Sequence, residues 1–356
     1  DNLKGVHSGG GALLTYNTIY NNSPLGGVEL SGGTFSYNTV KNNNYSYEHN
    51  GSERAAGISI KQQGSPIVNH NIISGNTKGN SAASGMWIQN SQADINNNII
   101  FNNTGDPAVK SQYDPPKIFS RNIIADGLTH FSGGAGNDNP INYSNNIFGG
   151  GLIGWIKYRN NSSVFSNNAI LNTSGGEYYD WLWIYSENIN QTVIFSDNLF
   201  SGNSGGYYVW LYGAGQSQTY ISTIQNNFIN NDEFYLKAPD DMNVSVANNF
   251  WGTTNELEIQ EIIYDWYDDP SLGFVDYTPF LTEPNTDAPI SPPMNIQGYL
   301  VDGVDVELIW ETNPESDVAG YKVYYGGYTG YSFSNVIDVG NVTSYNLAGL
   351  VSQLDS

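Results

Sequence analysis

Aromatic residues recur at matching places in four short apolar segments in the second half of the sequence. In each segment apolar residues alternate with Trp or Tyr, the pattern of a strand whose successive side chains face opposite sides of a sheet. The alternation predicts outward rings in a central row formed by Trp155, Trp183, Trp210 and Tyr235. Flanking rows add Trp181, Tyr208, Tyr185 and Tyr212. We refer to these eight residues as the aromatic stripe.

So many exposed aromatic rings are expected to be covered by a ligand, a partner protein or other parts of the same chain. Four large aromatic side chains offer about 600 Å² or more, which exceeds the usual largest apolar patch on a soluble monomer. Sugars fit, because flat rings stack on their apolar faces and carboxylates accept hydroxyl hydrogen bonds. The nearby carboxylates are Glu177, Asp180, Glu187 and Glu233. A protein partner fits equally, since Trp and Tyr anchor interfaces, and so does a purely structural role in which stacked rings stabilise the fold.

The alternative to a binding role is a catalytic role, by one of two mechanisms. A polysaccharide lyase needs a Lys, Arg or His base, and six basic residues lie loosely grouped: Lys110, Lys117, Arg121, His130, Lys157 and Arg159. No diagnostic spacing joins them, so a solvated basic face explains them as well. A glycosidase needs two carboxylates about 5 to 9.5 Å apart, for which Asp180 with Glu233 or Glu177 with Asp180 are candidates. We expect a binding protein rather than an enzyme.

No cofactor is predicted. Calcium is conceivable at Asp138 or at the pair Asp240 and Asp241, yet neither belongs to a loop with defined ligand spacing, and the chain has no Cys. The net charge of −22 argues against a nucleic-acid partner, because a negatively charged protein repels the phosphate backbone. No stretch of eighteen apolar residues exists, so membrane insertion is not expected.

The aromatic stripe must be positioned by elements that repeat along the sequence. One pattern recurs ten times: an apolar residue, two mostly polar ones, an Asn, and then an Asn- or Gly-rich turn. The repeated residues are Asn17, Asn38, Asn71, Asn98, Asn122, Asn146, Asn168, Asn198, Asn227 and Asn249. The interval varies from 21 residues between Asn17 and Asn38 to 33 between Asn38 and Asn71. Each repeat is therefore predicted to be one closed coil of a solenoid whose loops absorb the variation.

Short strands with period-two alternation predict an all-β solenoid, and scarce Leu and missing helical segments disfavour leucine-rich repeats. Asn suits a left-handed corner, and its amide can bond to the next Asn along the stack. We therefore interpret the repeated Asn as a structural ladder rather than as a series of sugar-binding amides.

From Gly11 to Leu281 these repeats resemble right-handed parallel β-helix proteins, a group that includes pectate lyases, polysaccharide epimerases and many surface proteins. The segment Asn248-Asn-Phe-Trp-Gly-Thr-Thr with Val275-Asp-Tyr-Thr-Pro-Phe is similar to the closing segment of secreted members. Asn255 as N-cap, with Ile259, Ile262, Ile263 and Trp266 at helical spacing, predicts a helical cap over about 255–281. The resemblance implies a secreted or cell-surface protein.

The C-terminal part has a different pattern. Residues 282–293 are predicted to form a short stiff linker. Residues 294–356 resemble a fibronectin type III module in which Trp310 is the buried aromatic, but only about five of its seven strands are present. We expect either that the natural chain continues or that a neighbouring molecule donates the missing strands.

The sequence thus predicts a right-handed parallel β-helix over 1–281 followed by an incomplete β-sandwich. We expect it to bind polysaccharide or a surface protein through the aromatic stripe. Self-assembly into a surface fibre is a further possibility, because an uncapped solenoid end exposes unpaired strand edges.

Overall fold

The computed structural model divides the chain into two units, Asp1–Pro289 and Ile290–Ser356. It describes residues 5–46, 54–61, 64–79, 81–89, 92–105, 107–113, 116–125, 127–133, 142–150, 152–158, 163–172, 182–186, 192–204, 209–213, 220–232, 235–313, 315–329 and 332–349.

Three parallel sheets run along the first unit, and each coil contributes a strand in turn to sheets A, B and C. Sheet A contains Val6–Ser8, Val28–Leu30, Ile58–Ile60, Met86–Ile88, Val109–Tyr113, Thr129–Gly133, Leu152–Tyr158, Leu182–Ser186, Val209–Gly213, Leu236–Lys237 and Ile263–Tyr264. Sheet B contains Leu13–Thr15, Thr34–Ser36, Ile67–Asn69, Asp94–Asn96, Ile118–Ser120, Asn142–Ser144, Ser163–Ser166, Thr192–Ser196 and Tyr220–Ile224. Sheet C contains Thr18–Tyr20, Thr39–Lys41, Ile72–Ser74, Ile99–Phe101, Ile123–Ile124, Ile147–Phe148, Ala169–Leu171, Leu199–Ser201 and Asn227–Ile229.

The core of the solenoid is a column of apolar side chains that stack from coil to coil. In sheet B the central residue of most described strands is buried, as at Phe35, Val68, Phe119 and Phe165. Aromatic rings succeed one another along the axis, and Phe165 stacks on Phe195 with ring centroids 5.2 Å apart. The strands are too short to be stable singly, so their stability comes from this stacking and from the hydrogen bonds between coils.

The corner between sheets B and C is held by the predicted Asn ladder. At Asn168 the backbone N–H donates to Oδ1 of Asn198 at 2.9 Å, and Nδ2 donates to the same oxygen at 3.1 Å. The second proton of Nδ2 reaches the carbonyl of Tyr143 in the preceding coil at 2.9 Å. The side chains of Asn168 and Asn198 are fully buried. Each ladder residue therefore ties three successive coils together.

The prediction of Asn227 as a ladder residue is wrong. The chain of hydrogen bonds passes from Asn198 to Asn226, and from Asn226 to Asn249, rather than through Asn227. The ladder residue follows a residue with positive φ, and here that residue is Gln225 with φ of 60°. The apolar Ile224 suggested a register one residue later, but its side chain is 36% exposed and does not enter the core.

A second Asn ladder, which the repeat pattern did not predict, lies five residues after the first ladder at the other end of sheet C, in two stretches. Asn22 bonds to Asn43 in this way, Asn43 to Asn76, and Asn76 to Asn103, and later Asn203 bonds to Asn231. Between these two stretches the residues that follow the first-ladder Asn by five in the sequence are Gly127, Gly151 and Thr173, which have no side-chain amide.

The C-terminal end of the solenoid is closed by an aromatic side chain and a short helix. Trp251 stacks on Phe228 with ring centroids 4.9 Å apart, and the helix Glu256–Glu261 adds one buried side chain, Ile259. As predicted, the Asn255 side chain caps this helix by accepting the Leu257 N–H at 3.1 Å.

The helix is shorter than the sequence pattern suggested. Its C-cap is Ile262, and the following Ile263–Tyr264 is the last strand of sheet A. Trp266, which was expected on the apolar face, is 41% exposed instead. A small parallel pair, Val244–Ser245 with Val275–Asp276, completes the cap.

The segment after the cap returns along the outside of the solenoid. Asn285 exchanges hydrogen bonds with Asn227, and its Nδ2 donates to the carbonyl of Gln225 and to the carboxylate of Asp197. The carbonyl of Asp287 accepts from Asn167 Nδ2 at 2.9 Å. This part of residues 282–293 therefore packs on the corner next to the ladder.

The second unit contains two antiparallel sheets. One consists of Met294–Val301, Asp305–Glu311 and Ser344–Leu347, and the other of Tyr321–Thr329 and Ser332–Gly340. Trp310 is buried, as expected, and meets Tyr321 edge to face at 5.3 Å. The relation to fibronectin type III modules stays a prediction.

We predict that Asn168→Ala lowers the free energy of unfolding by about 1 to 3 kcal/mol, because it removes the acceptor Oδ1 from the Asn146 backbone N–H and from Asn146 Nδ2 inside the core. These two bonds measure 3.0 and 2.9 Å. Urea denaturation followed by circular dichroism measures the effect.

The matched control is Asn17→Ala. Asn17 is the first residue of the described ladder and is exposed to water. Its replacement should therefore change the unfolding free energy by less than about 0.5 kcal/mol. Equal stabilities for the two variants would argue against a ladder that stabilises the fold.

Candidate functional site

The aromatic stripe lies on sheet A, where the backbone register aligns most of its members. Trp155, Trp183 and Trp210 are paired in one row across three adjacent strands, which run about 4.8 Å apart. Two residues further along the strands, Tyr185 and Tyr212 pair in a second row. The direction of these five side chains stays a prediction from strand alternation. Trp181 and Tyr208 lie outside the described part of the chain.

Tyr235 does not belong to this row, and its predicted outward position is wrong. The register pairs Trp210 with Lys237, two residues beyond Tyr235. The Tyr235 ring is buried and stacks on Phe228 at a centroid distance of 5.8 Å, while its hydroxyl donates to the Asn231 carbonyl at 2.8 Å. Burial accordingly raises the pKa of Tyr235. Tyr235 faces inward because the strand Leu236–Lys237 has only two residues, so Tyr235 precedes the strand and escapes its alternation.

The row of Trp155, Trp183 and Trp210 continues toward the cap as Lys237 and Tyr264. The Lys237 ammonium lies 5.9 Å from the centroid of the Tyr264 ring, a cation–π distance. Lys237 also lies close enough to Asp269 to help lower the pKa of that carboxyl, after the larger effect of two hydrogen bonds from Ser271. The row therefore consists of three Trp positions followed, in the last coils, by a Lys and a Tyr.

Toward the N-terminus the protein's own loops cover the same sheet. Trp87, although at an outward position of its strand, is fully buried beneath Ala55, Ala82 and Ala83. The Lys61 ammonium lies 4.7 Å from the centroid of the Trp87 ring. The Trp87 ring is therefore covered by the protein's own side chains.

Only two of the six basic residues considered for catalysis come together in the described structure. Lys110 and His130 are register partners on adjacent strands of sheet A. Burial lowers the pKa of Lys110, and the charge of Lys78 lowers it further. Burial and the charge of Lys110 lower the pKa of His130 in the same way. Lys78, brought in by a loop, was not identified from the sequence.

The remaining basic residues are dispersed. Arg121 has positive φ and occupies the corner after sheet B, Lys117 precedes the sheet B strand Ile118–Ser120, and Lys157 lies in the sheet A strand Leu152–Tyr158. Arg159, Asp138 and the carboxylates Glu177, Asp180, Glu187 and Glu233 are not among the residues that the structure describes.

Of the acidic residues considered for calcium, the structure describes Asp240 and Asp241. Asp240 forms an isolated bridge with Leu272, and Asp241 has a positive φ of 49°. No group of three or more His, Asp or Glu side chains within the described ranges is placed to hold a metal ion. Among the same residues, no helix has the length and apolar character of a membrane span.

Comparison with known proteins bears on the N-terminal third. Residues 4–125 match a family whose description is "Right handed beta helix region". No curated protein and no solved structure matches the chain. Such a domain fits an extracellular or surface protein in general. The match and the three parallel sheets together identify the fold of the first unit as a right-handed parallel β-helix.

Proposed function

We propose that this chain is a non-catalytic, secreted or cell-surface protein that binds polysaccharide along the outside of sheet A. The observation that carries the proposal is the register of Trp155, Trp183 and Trp210 on three adjacent strands. Backbone positions on neighbouring strands repeat at about 4.8 Å, a spacing comparable with the length of a sugar ring. A linear glycan lying along the solenoid axis would meet a ring at each coil.

The surroundings of the row support a binding surface over a self-covered one. Near Trp87 the loops that bury the outer face are packed and apolar, with Ala55, Ala82 and Ala83 in contact. The row of Trp155, Trp183 and Trp210 lies two residues further along the strands than the row of Trp87, and near the cap it ends on Lys237 and Tyr264, which are both partly exposed to water. A polar, hydrated end suits a ligand that carries hydroxyl groups.

We predict that Trp183→Ala and Trp210→Ala each weaken glycan binding about tenfold while the melting temperature stays nearly unchanged, because rings outside the core contribute little to folding. Affinity electrophoresis in gels that contain soluble neutral polysaccharides, such as galactomannan, xyloglucan and hydroxyethyl cellulose, measures the retention.

Tyr20→Ala serves as the control, since Tyr20 is 56% exposed on sheet C of the first coils. It should leave retention intact. Unfolding of both Trp variants would identify the rings as core residues and end the binding hypothesis, as would well-folded variants with unchanged retention.

A second candidate function, a polysaccharide lyase, is favoured by the pairing of Lys110 with His130. A base with a lowered pKa holds a larger neutral fraction at a given pH and can remove the proton α to a uronate carboxylate. The C–O bond at the adjacent carbon then breaks, a C=C bond forms between the two carbons, and the departing oxygen takes up a proton from water. The neighbouring cation Lys78 would offset the negative charge of the uronate.

We predict for this alternative that incubation with polygalacturonate or alginate yields an unsaturated product detectable by ultraviolet absorbance. Lys110→Met should then slow the reaction by about 10²- to 10⁴-fold, since general base catalysis contributes that much. Lys117→Met is the control on sheet B and should keep the wild-type rate. No product from the wild-type chain would exclude the lyase and leave the binding function.

A further inference from the structure

Three aromatic side chains form an exposed cluster on the cap beyond the last coil. Trp266 and Phe274 stack with ring centroids 4.7 Å apart and an interplanar angle of 29°. Tyr267 meets both rings edge on, at 5.7 Å from Trp266 and 5.6 Å from Phe274. Trp266 is 41% exposed, Tyr267 68% and Phe274 39%. We call these three residues the cap platform.

The backbone beneath the cap platform is fixed by a buried carboxylate. Asp265 accepts the Tyr267 N–H at 3.0 Å with Oδ1 and the Val275 N–H at 3.0 Å with Oδ2. The Trp266 N–H donates to the Gly273 carbonyl at 3.1 Å. These bonds join the turn after the last strand of sheet A to the strand at Val275. The three rings are therefore preorganised, which reduces the entropy lost on binding.

The charges around the cap platform restrict its ligand. Asp268 follows Tyr267 in the sequence and is exposed, with Oδ2 accepting the Asp265 N–H at 3.2 Å, and Asp269 has its carboxylate near Lys237. Carboxylates beside exposed rings accept hydroxyl hydrogen bonds and repel anions. Since the whole chain also carries a net charge of −22, phosphate, sulfate and uronate groups are disfavoured here. An uncharged ligand with hydroxyl groups and an apolar face satisfies both conditions.

The cap platform is continuous with the proposed glycan surface. The row of Trp155, Trp183 and Trp210 reaches Tyr264 through Lys237, and Tyr264 is two residues before Trp266. The Lys237 side chain contacts the Tyr264 ring and also acts on the Asp269 carboxylate, so a linear ligand that follows the row to its end would lie near the turn that contains the platform.

We infer that the cap platform is a terminal subsite for an uncharged sugar of the same glycan that lies along sheet A. This inference rests on the proposed function and narrows its ligand to neutral polysaccharide. Tyr267 and the exposed faces of Trp266 and Phe274 stack on the sugar, and Asp268 accepts its hydroxyl groups.

The test compares Tyr267→Ala, Tyr267→Phe and Phe274→Leu by affinity electrophoresis with the neutral polysaccharides named above. Tyr267→Ala and Phe274→Leu should each weaken retention about threefold to tenfold, because each removes one stacked ring. Tyr267→Phe keeps the ring and should stay within about twofold of the wild type. The exposed aliphatic residue Leu257, 77% exposed on the cap helix, supplies the control variant Leu257→Ala, which should bind as the wild type does.

The outcomes separate this inference from the proposed function. Loss of retention in Trp183→Ala but not in the folded cap variants overturns the subsite and keeps the sheet A surface. Loss in the cap variants alone leaves a separate sugar site on the cap, and contradicts both the sheet A surface and the description of the platform as its terminal subsite. Stronger retention on polygalacturonate than on neutral glycans overturns the subsite. So does a change of oligomeric state in Tyr267→Ala with glycan retention unchanged, since the cluster is then a protein contact.

Discussion

The hydrogen bond from one ladder Asn to Oδ1 of the next is the interaction on which the solenoid depends. The strands of sheet C have two or three residues each, so none of them stores much stability by itself. The positive-φ residue before each ladder Asn turns the chain sharply, and the buried amide then satisfies the backbone groups that this turn exposes. Because the amide also reaches the carbonyl of the preceding coil, the corner fixes the register of sheets B and C together.

A fixed register on the inside leaves the outside of sheet A free to vary from coil to coil. The same sheet carries a buried Trp87 beneath loops, then the basic pair Lys110 and His130, then the aligned positions of Trp155, Trp183 and Trp210. Each stretch places different chemistry at the same strand spacing. The candidate functions therefore differ in which coils they use rather than in fold.

The fold was predictable because repetition multiplies a weak local signal. Ten similar corners indicated the coils, and nine of the predicted ladder residues take part, while Asn227 is displaced by its neighbour Asn226. The position of Tyr235 was not predictable, because two apolar neighbours suggest a strand whose actual length is two residues. Lys78 and the cap platform were missed for another reason. Loops and turns bring Lys78 and the platform residues into contact with their neighbours, and such contacts cannot be predicted from the spacing of residues along the chain.

The ladder also gives the solenoid a direction. Each Asn offers its N–H and Nδ2 toward the following coil, whereas Oδ1 accepts only from the preceding one. Loss of the following coil would leave the Asn N–H and one Nδ2 proton without an acceptor, whereas loss of the preceding coil would leave Oδ1 without donors and the other Nδ2 proton without its carbonyl. An orphaned N–H is tolerated less well than an under-used oxygen. For the ladder Asn itself, loss of the following coil therefore leaves one more buried donor without an acceptor than loss of the preceding coil does.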